Sequence, residues 1–163
     1  MSAEPEWLVL AWRLPNGSST PRVTIWRSLK RLGAATLTPG AALLPYREEL
    51  LEQVGWLAQE IDDLGGDAWI LPVTELSEAE ESRVRAQVNG ERDSEYSELE
   101  RAAAELSARS QRDEPSAREL QSLGGRLNRI RARDHFGTSG QRKARRAVER
   151  CLAARTEGGA VRR

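Results

Sequence analysis

The stretch from Arg22 to Pro45, RVTIWRSLKRLGAATLTPGAALLP, constrains the fold most, because it strings together a helix, a helix stop and a hairpin. Val23, Trp26, Leu29 and Leu32 recur at helical spacing and Arg22, Arg27, Lys30 and Arg31 fill other positions, so one side is expected to be buried and the other cationic. Gly33 is expected to end the helix in the left-handed conformation, which a residue without Cβ adopts at little cost. Ala34 to Leu37 and Ala41 to Leu44 are then two short apolar runs about Thr38, Pro39 and Gly40, closed by Pro45, which predicts a hairpin.

The flanking segments supply the rest of a sheet. Trp7 to Leu14, WLVLAWRL, is almost continuously apolar and stops at Pro15-Asn16-Gly17, as a strand buried on both faces would. Ser19 or Thr20 is the expected N-cap of the first helix, with Pro21 in its first turn. Tyr46 to Leu64 predicts a second helix with Leu50, Leu51, Val54, Leu57, Ala58, Ile61 and Leu64 on one stripe, closed by Gly65-Gly66. Asp67 to Val73 predicts a fourth strand whose Pro72 lacks a ladder donor and so belongs at an edge. The order β-α-β-β-α-β is the ferredoxin-like, split βαβ pattern, with the first strand central and the fourth at an edge. Two helices cover one face; apolar residues alternate to both, so the other face needs a partner subunit or the chain's own C-terminal half.

From Ser77 onward the composition turns to Ala, Glu, Arg and Gln, that of long helices. Ser77 and Glu80 predict a capping box for a helix over 77–109, with Gly90 a candidate interruption. Tyr96, Leu99, Ala103 and Leu106, then Leu120, Leu123, Leu127 and Ile130, share a 3-4-3 spacing that predicts an antiparallel helical hairpin. Gly124-Gly125 inside its second helix is a candidate kink or close crossing, and a basic helix is expected over 139–154. The expected whole is an α+β chain: a ferredoxin-like domain over 6–75, a helical extension over 77–155 and a disordered tail over 156–163.

The formal net charge of zero hides an asymmetry. Residues 1–75 carry 6 Lys/Arg against 10 Asp/Glu, residues 76–123 carry 7 against 12, and residues 124–163 carry 12 against 3, or +9. Arg126, Arg129 and Arg133 fall on one face of a helix, as do Arg142, Arg145, Arg146 and Arg150 on the next, with Lys143 beside them. These residues are the candidate site for DNA phosphates or a small tetrahedral oxyanion. The bland alternatives are a solvated face or pairing with the acidic stretch Glu95 to Glu105. Arg22, Arg27, Lys30 and Arg31 form a secondary basic patch.

Other chemistry finds little support. The sole histidine, His135, and the sole cysteine, Cys151, lie sixteen residues apart, too few ligands for a metal site, and Asp134 is expected to cap a turn or pair with an arginine. No resolving partner marks Cys151 as a redox centre. With one histidine no Ser-His-Asp set can be assembled, and no Gly-rich phosphate loop follows a strand. No catalytic residue, metal or cofactor is expected. No stretch is apolar enough for a membrane helix, and MSAEPEW lacks the features of a signal peptide, so a cytoplasmic location is expected.

The residues also carry a resemblance. IWRSLKRLGA, Ile25 to Ala34, with a hairpin ending in LLP, a preceding WLVL strand, a following GGDAWIL strand and RIRARDHFG, Arg129 to Gly137, before a basic helix, resembles the N-terminal domain of the ChrB family of chromate-resistance regulatory proteins. The resemblance spans Trp7 to Cys151. More distantly the chain is similar to the central domain of PaaX-type repressors and to small CRISPR-associated proteins of the ferredoxin-like fold. Family membership implies transcriptional regulation of chromate resistance, acting on DNA in the absence of chromate, and a homodimer is expected. Full-length ChrB proteins carry a second, C-terminal domain, and this chain ends where that domain would begin. Chromate sensing is then expected at this chain's own arginines or through a separate partner chain of the C-terminal type, unless it has been lost. Two further readings follow: an interaction module that assembles with such a chain, and a metal-dependent nuclease of the CRISPR-associated class. Against the latter, Ala11 to Pro15 offers no carboxylate at the end of the first strand.

Overall fold

The computed structural model describes residues 4–17, 19–110 and 115–160. The chain divides into two compact units, Met1–Val88 and Asn89–Arg163.

In the first unit, β1 (Trp7–Arg13), β2 (Ala35–Thr38), β3 (Ala41–Pro45) and β4 (Asp67–Val73) form an antiparallel sheet of order β2-β3-β1-β4, while α1 (Ser19–Leu32) and α2 (Glu48–Asp63) connect its strands. The chain is thus α+β with the ferredoxin-like order, β1 inside and Pro72 on the edge strand. Leu8, Leu10, Ala42 and Leu44 of the sheet meet Ile25 and Leu29 of α1 and Leu50, Val54, Leu57 and Ile61 of α2 in one core. Gly33 and Gly65 end the two helices at φ of 76° and 77°.

One expectation about α1 is corrected. The stripe facing the sheet is Ile25 and Leu29, both buried, with Leu32 packed against them; Val23 and Trp26 face outward, Trp26 being 49% exposed. Both stripes have helical spacing, and the β-branched Ile25 belongs to the one that the sheet selects.

The sheet face away from α1 and α2 is covered in part by the first turns of α3 (Glu78–Ser110), which belong to this unit as far as Val88. The compact unit therefore extends beyond the boundary expected at residue 76. Trp7, Ala35 and Leu43 of that face are buried, as are Val84 and Val88, and the Arg85 guanidinium lies 5.9 Å from the Trp7 ring. Gln87 lies over the free edge of β2, where one orientation of its carboxamide accepts from Thr36 N–H at 3.1 Å and donates to Thr36 C=O at 3.3 Å. Toward β4 the same face leaves Trp69 and Leu71 half exposed.

The predicted capping box forms: Glu80 N–H donates to Ser77 Oγ at 3.3 Å, and Ser77 N–H donates to the Glu80 carboxylate at 3.2 Å. α3 runs unbroken through Gly90. In the second unit α4 (Ala117–Arg133) starts at a further capping box, Ser116 with Glu119, and passes through Gly124-Gly125 without a break. A Cβ at Gly124 would meet nothing within 4 Å and one at Gly125 would touch only the Arg129 side chain, so neither marks a close crossing. The backbone of α5 (Gly140–Ala160) continues past 154 into the expected tail, and 161–163 lie outside the described residues.

The two apolar stripes pack as expected, but α5 joins them. Ala144, Ala147, Val148 and Cys151 share one core with Tyr96, Leu99, Ala103 and Leu106 of α3 and Leu120, Leu123, Leu127 and Ile130 of α4. The basic helix is therefore the third member of a bundle, its small residues allowing a close approach.

Candidate functional site

The candidate cations sit on α4 and α5, and the bundle sets what each can reach. On α5 the buried positions 144, 147, 148 and 151 define the inner face, which leaves Arg142, Lys143, Arg145, Arg146 and Arg150 exposed on the remaining circumference. Arg145 Nε lies 3.3 Å from Glu149 on its own helix. Arg142, Lys143, Arg146 and Arg150 form no ion pair among the described residues.

On α4 the expected row is split. Arg126 is half buried and Arg129 exposed, while Arg133 is turned inward: its Nη1 donates to Glu95 at 2.9 Å and its Nε donates to the Arg129 carbonyl at 3.0 Å. Glu95 also lies 3.0 Å from Arg92 Nε, and Arg92 is almost fully buried with Glu91 at 3.4 Å. Arg133 is thus committed to an ionic group that ties α4 to α3, where removing one partner would strand buried charge. The acidic stretch of α3 does take one cation from the row, as pairing with Glu95 predicts.

The turn from α4 to α5 is built by Asp134. Its Oδ1 accepts from Gly137 N–H at 3.0 Å and its Oδ2 from Thr138 N–H at 3.3 Å. The buried Tyr96 hydroxyl donates to Asp134 Oδ2 at 3.1 Å, and burial, then the Asp134 charge, push that hydroxyl well above the ordinary tyrosine range. Asp93 Oδ1 accepts from Gly140 N–H at 3.1 Å, satisfying a donor at the start of α5. Asp134 therefore caps the turn, one of its two expected roles, and α3 holds the entry of the basic helix through Tyr96 and Asp93. Neither role of α3 is evident in the sequence: Tyr96 reads there as one apolar residue in a stripe, and its hydroxyl is the only available signal.

Glu119 at the start of α4 is held below the usual carboxylate range by Ser116 N–H, then by Arg109, with which it forms an ion pair. Cys151 is buried, its thiol donating to the Ala103 carbonyl at 3.0 Å with Ser107 Oγ at 2.9 Å. His135 sits edge-on to Phe136, and among the described residues no three His, Cys, Asp or Glu side chains converge as metal ligands. Among the same residues no helix is long and apolar enough to cross a membrane.

The secondary patch lies in the first unit. Arg22, Arg27 and Arg31 are exposed, and the Lys30 ammonium lies 5.8 Å from the Trp26 ring centroid.

The family model described as "Protein ChrB, N-terminal" matches residues 22–160. The chain is 32% identical over 145 residues to Protein ChrB of Cupriavidus metallidurans, an alignment covering 88% of this chain and 44% of that protein. The chain therefore spans less than half the length of the curated relative that it matches. No solved structure matches it. The helix and hairpin of the first unit and the basic bundle of the second both fall in the matched region, and the chain belongs to the ChrB family through that N-terminal domain.

Proposed function

We propose that this chain binds DNA through its basic helix and serves in the regulation of chromate resistance, as the family resemblance implies. The observation that carries the reading is the exposed set Arg142, Lys143, Arg146 and Arg150 on a helix whose opposite face is locked into a bundle. A rigid row of guanidinium groups lines up with successive phosphates at small entropic cost. Arg126 and Arg129 add charge on α4, whereas Arg133 is structural. The reading involves no catalytic step. Chromate, a tetrahedral dianion, would compete with phosphate for the same guanidinium groups and release the DNA.

The test is a titration of duplex DNA from the resistance genes' control region against salt concentration. Replacing Arg142, Arg146 and Arg150 by Gln is expected to lower the slope of log K against log salt by about 2.7, the contribution of three phosphate contacts. Chromate is expected to weaken binding more than an equal concentration of sulfate. An unchanged salt slope in the triple variant, or no binding at low salt, overturns the reading. A second reading, a module that docks a chain carrying the remaining part of a ChrB-type protein, is favoured by the half-exposed Trp69 and Leu71 on the sheet. Co-purification with such a chain, lost on Trp69→Ser, would establish it; recovery without that chain argues against it.

A further inference from the structure

The outer layer of the first unit carries its charge in two separate blocks. Every charged residue on α1 is a cation, Arg22, Arg27, Lys30 and Arg31, and every charged residue of α2 is an anion, Glu48, Glu49, Glu52, Glu60, Asp62 and Asp63. The two helices lie side by side on one sheet face with Ile25, Leu29, Leu50, Val54, Leu57 and Ile61 turned inward, so the blocks adjoin on the outside. Among the described residues no ion pair occupies Arg22, Arg27 or Arg31. Each block also holds a tryptophan that the fold leaves uncovered, Trp26 at 49% and Trp56 at 66% exposure. A groove between the helices is lined by Arg31 and Leu32 on one side and by Glu52, Trp56 and Glu60 on the other.

Exposed tryptophans on a helical face are the residues most concentrated at the energetic centres of protein interfaces. The charge pattern decides among occupants. A polyanion would be drawn to α1 and repelled by α2, and a cationic partner the reverse. A partner that satisfies both must carry the same two blocks in reversed order. A second copy has that pattern when turned about a two-fold axis running along the groove, which sets α1 of each copy on α2 of the other. The strip about Trp69 on the opposite face of the sheet carries a single ion pair, Arg13 with Asp67, and no block of one sign to specify an occupant.

We propose that the α1/α2 layer is a homodimer interface, joined by reciprocal contacts between the cations of α1 and the anions of α2 and centred on the groove at Trp56. The proposal takes the α1 cations out of the phosphate-binding set and stands whether or not the chain binds DNA.

Sedimentation equilibrium of the full chain over a concentration series tests it. Wild-type protein is expected to pass from 18.2 kDa to twice that mass. Arg27→Glu with Arg31→Glu sets acidic against acidic blocks, and Glu52→Arg with Glu60→Arg sets basic against basic, so either pair is expected to raise the dimer dissociation constant about tenfold or more. An equimolar mixture of the two variants is expected to form heterodimers at near wild-type affinity, because each altered block then meets its opposite. All four changes are on exposed residues, and the mixture shows that each variant is folded. A wild type that stays monomeric, or a mixture that does not recover, overturns the proposal. So does a dimer that ignores the charge reversals and is lost only with Trp69→Ser and Leu71→Ser.

Discussion

Replacing Tyr96 by Phe removes one hydroxyl from the centre of the second unit and leaves the ring's volume in place. The lost interaction is a hydrogen bond of 3.1 Å from a fully buried donor to the Asp134 carboxylate. Hydrogen bonds to charged groups contribute about 1.5–3 kcal/mol. Asp134 keeps its bonds from Gly137 and Thr138 N–H, so the cost should fall near the lower figure, about 1.5 kcal/mol, or roughly tenfold in the folding equilibrium. All five tryptophans precede residue 70, so their fluorescence reports the first unit; helix loss by circular dichroism, with hydrogen exchange of α5 amides, reports the second.

The same substitution has a pH signature. Burial and the Asp134 charge raise the Tyr96 pKa in the folded protein, whereas the unfolded chain titrates near the ordinary tyrosine value of about 10. Above that pH the unfolded state releases a proton that the folded state keeps, so stability is full below about pH 10 and falls as pH rises beyond it, by up to about 1.4 kcal/mol per pH unit. The Tyr96→Phe variant, with no hydroxyl to titrate, has no such loss. The advantage of wild type over Tyr96→Phe should therefore shrink from about 1.5 kcal/mol at pH 8 toward zero near pH 11. A difference that stays constant over this range, or one below about 0.5 kcal/mol at pH 8, would refute the assignment of Tyr96 as the anchor of the turn.

Two further substitutions probe the first unit, each read by urea denaturation with tryptophan fluorescence. Ile25→Ala is expected to cost about 2–5 kcal/mol because Ile25 is wholly buried, whereas Trp26→Ala should cost only about 1 kcal/mol, largely the lost contact with Lys30; the reverse order would restore Trp26 to the core. Gly66→Ala brings a Cβ to 2.4 Å from the Arg13 carbonyl oxygen and 3.0 Å from that of Ile61, backbone atoms that cannot swing aside. It should destabilise by about 1–3 kcal/mol, while Gly17→Ala, which meets nothing within 4 Å, should stay within about 0.5 kcal/mol of wild type.

Much of the architecture can be read from the amino-acid order because it rests on local chemistry. The continuous apolar run of β1, Pro72 in β4, Gly33 after α1 and Ser77 with Glu80 before α3 each have one dominant structural outcome, and together they determine the βαββαβ order and the edges of the sheet. The sequence also determines where charge accumulates, and hence which helix can present cations to a polyanion. Position along the chain does not determine which of two overlapping stripes is buried when both have helical spacing. On α1 it took the sheet to choose Ile25 and Leu29 over Val23 and Trp26. Likewise Arg126, Arg129 and Arg133 look equivalent in a helical row, yet only Arg133 reaches Glu95, thirty-eight residues away, and leaves the row. The small residues of α5 show no strong stripe, because alanines acquire an inner face only when α3 and α4 supply the surface against which they pack. The charge inventory belongs to the sequence; which charges are used up inside and which remain for a partner is decided by contacts between residues far apart in the chain.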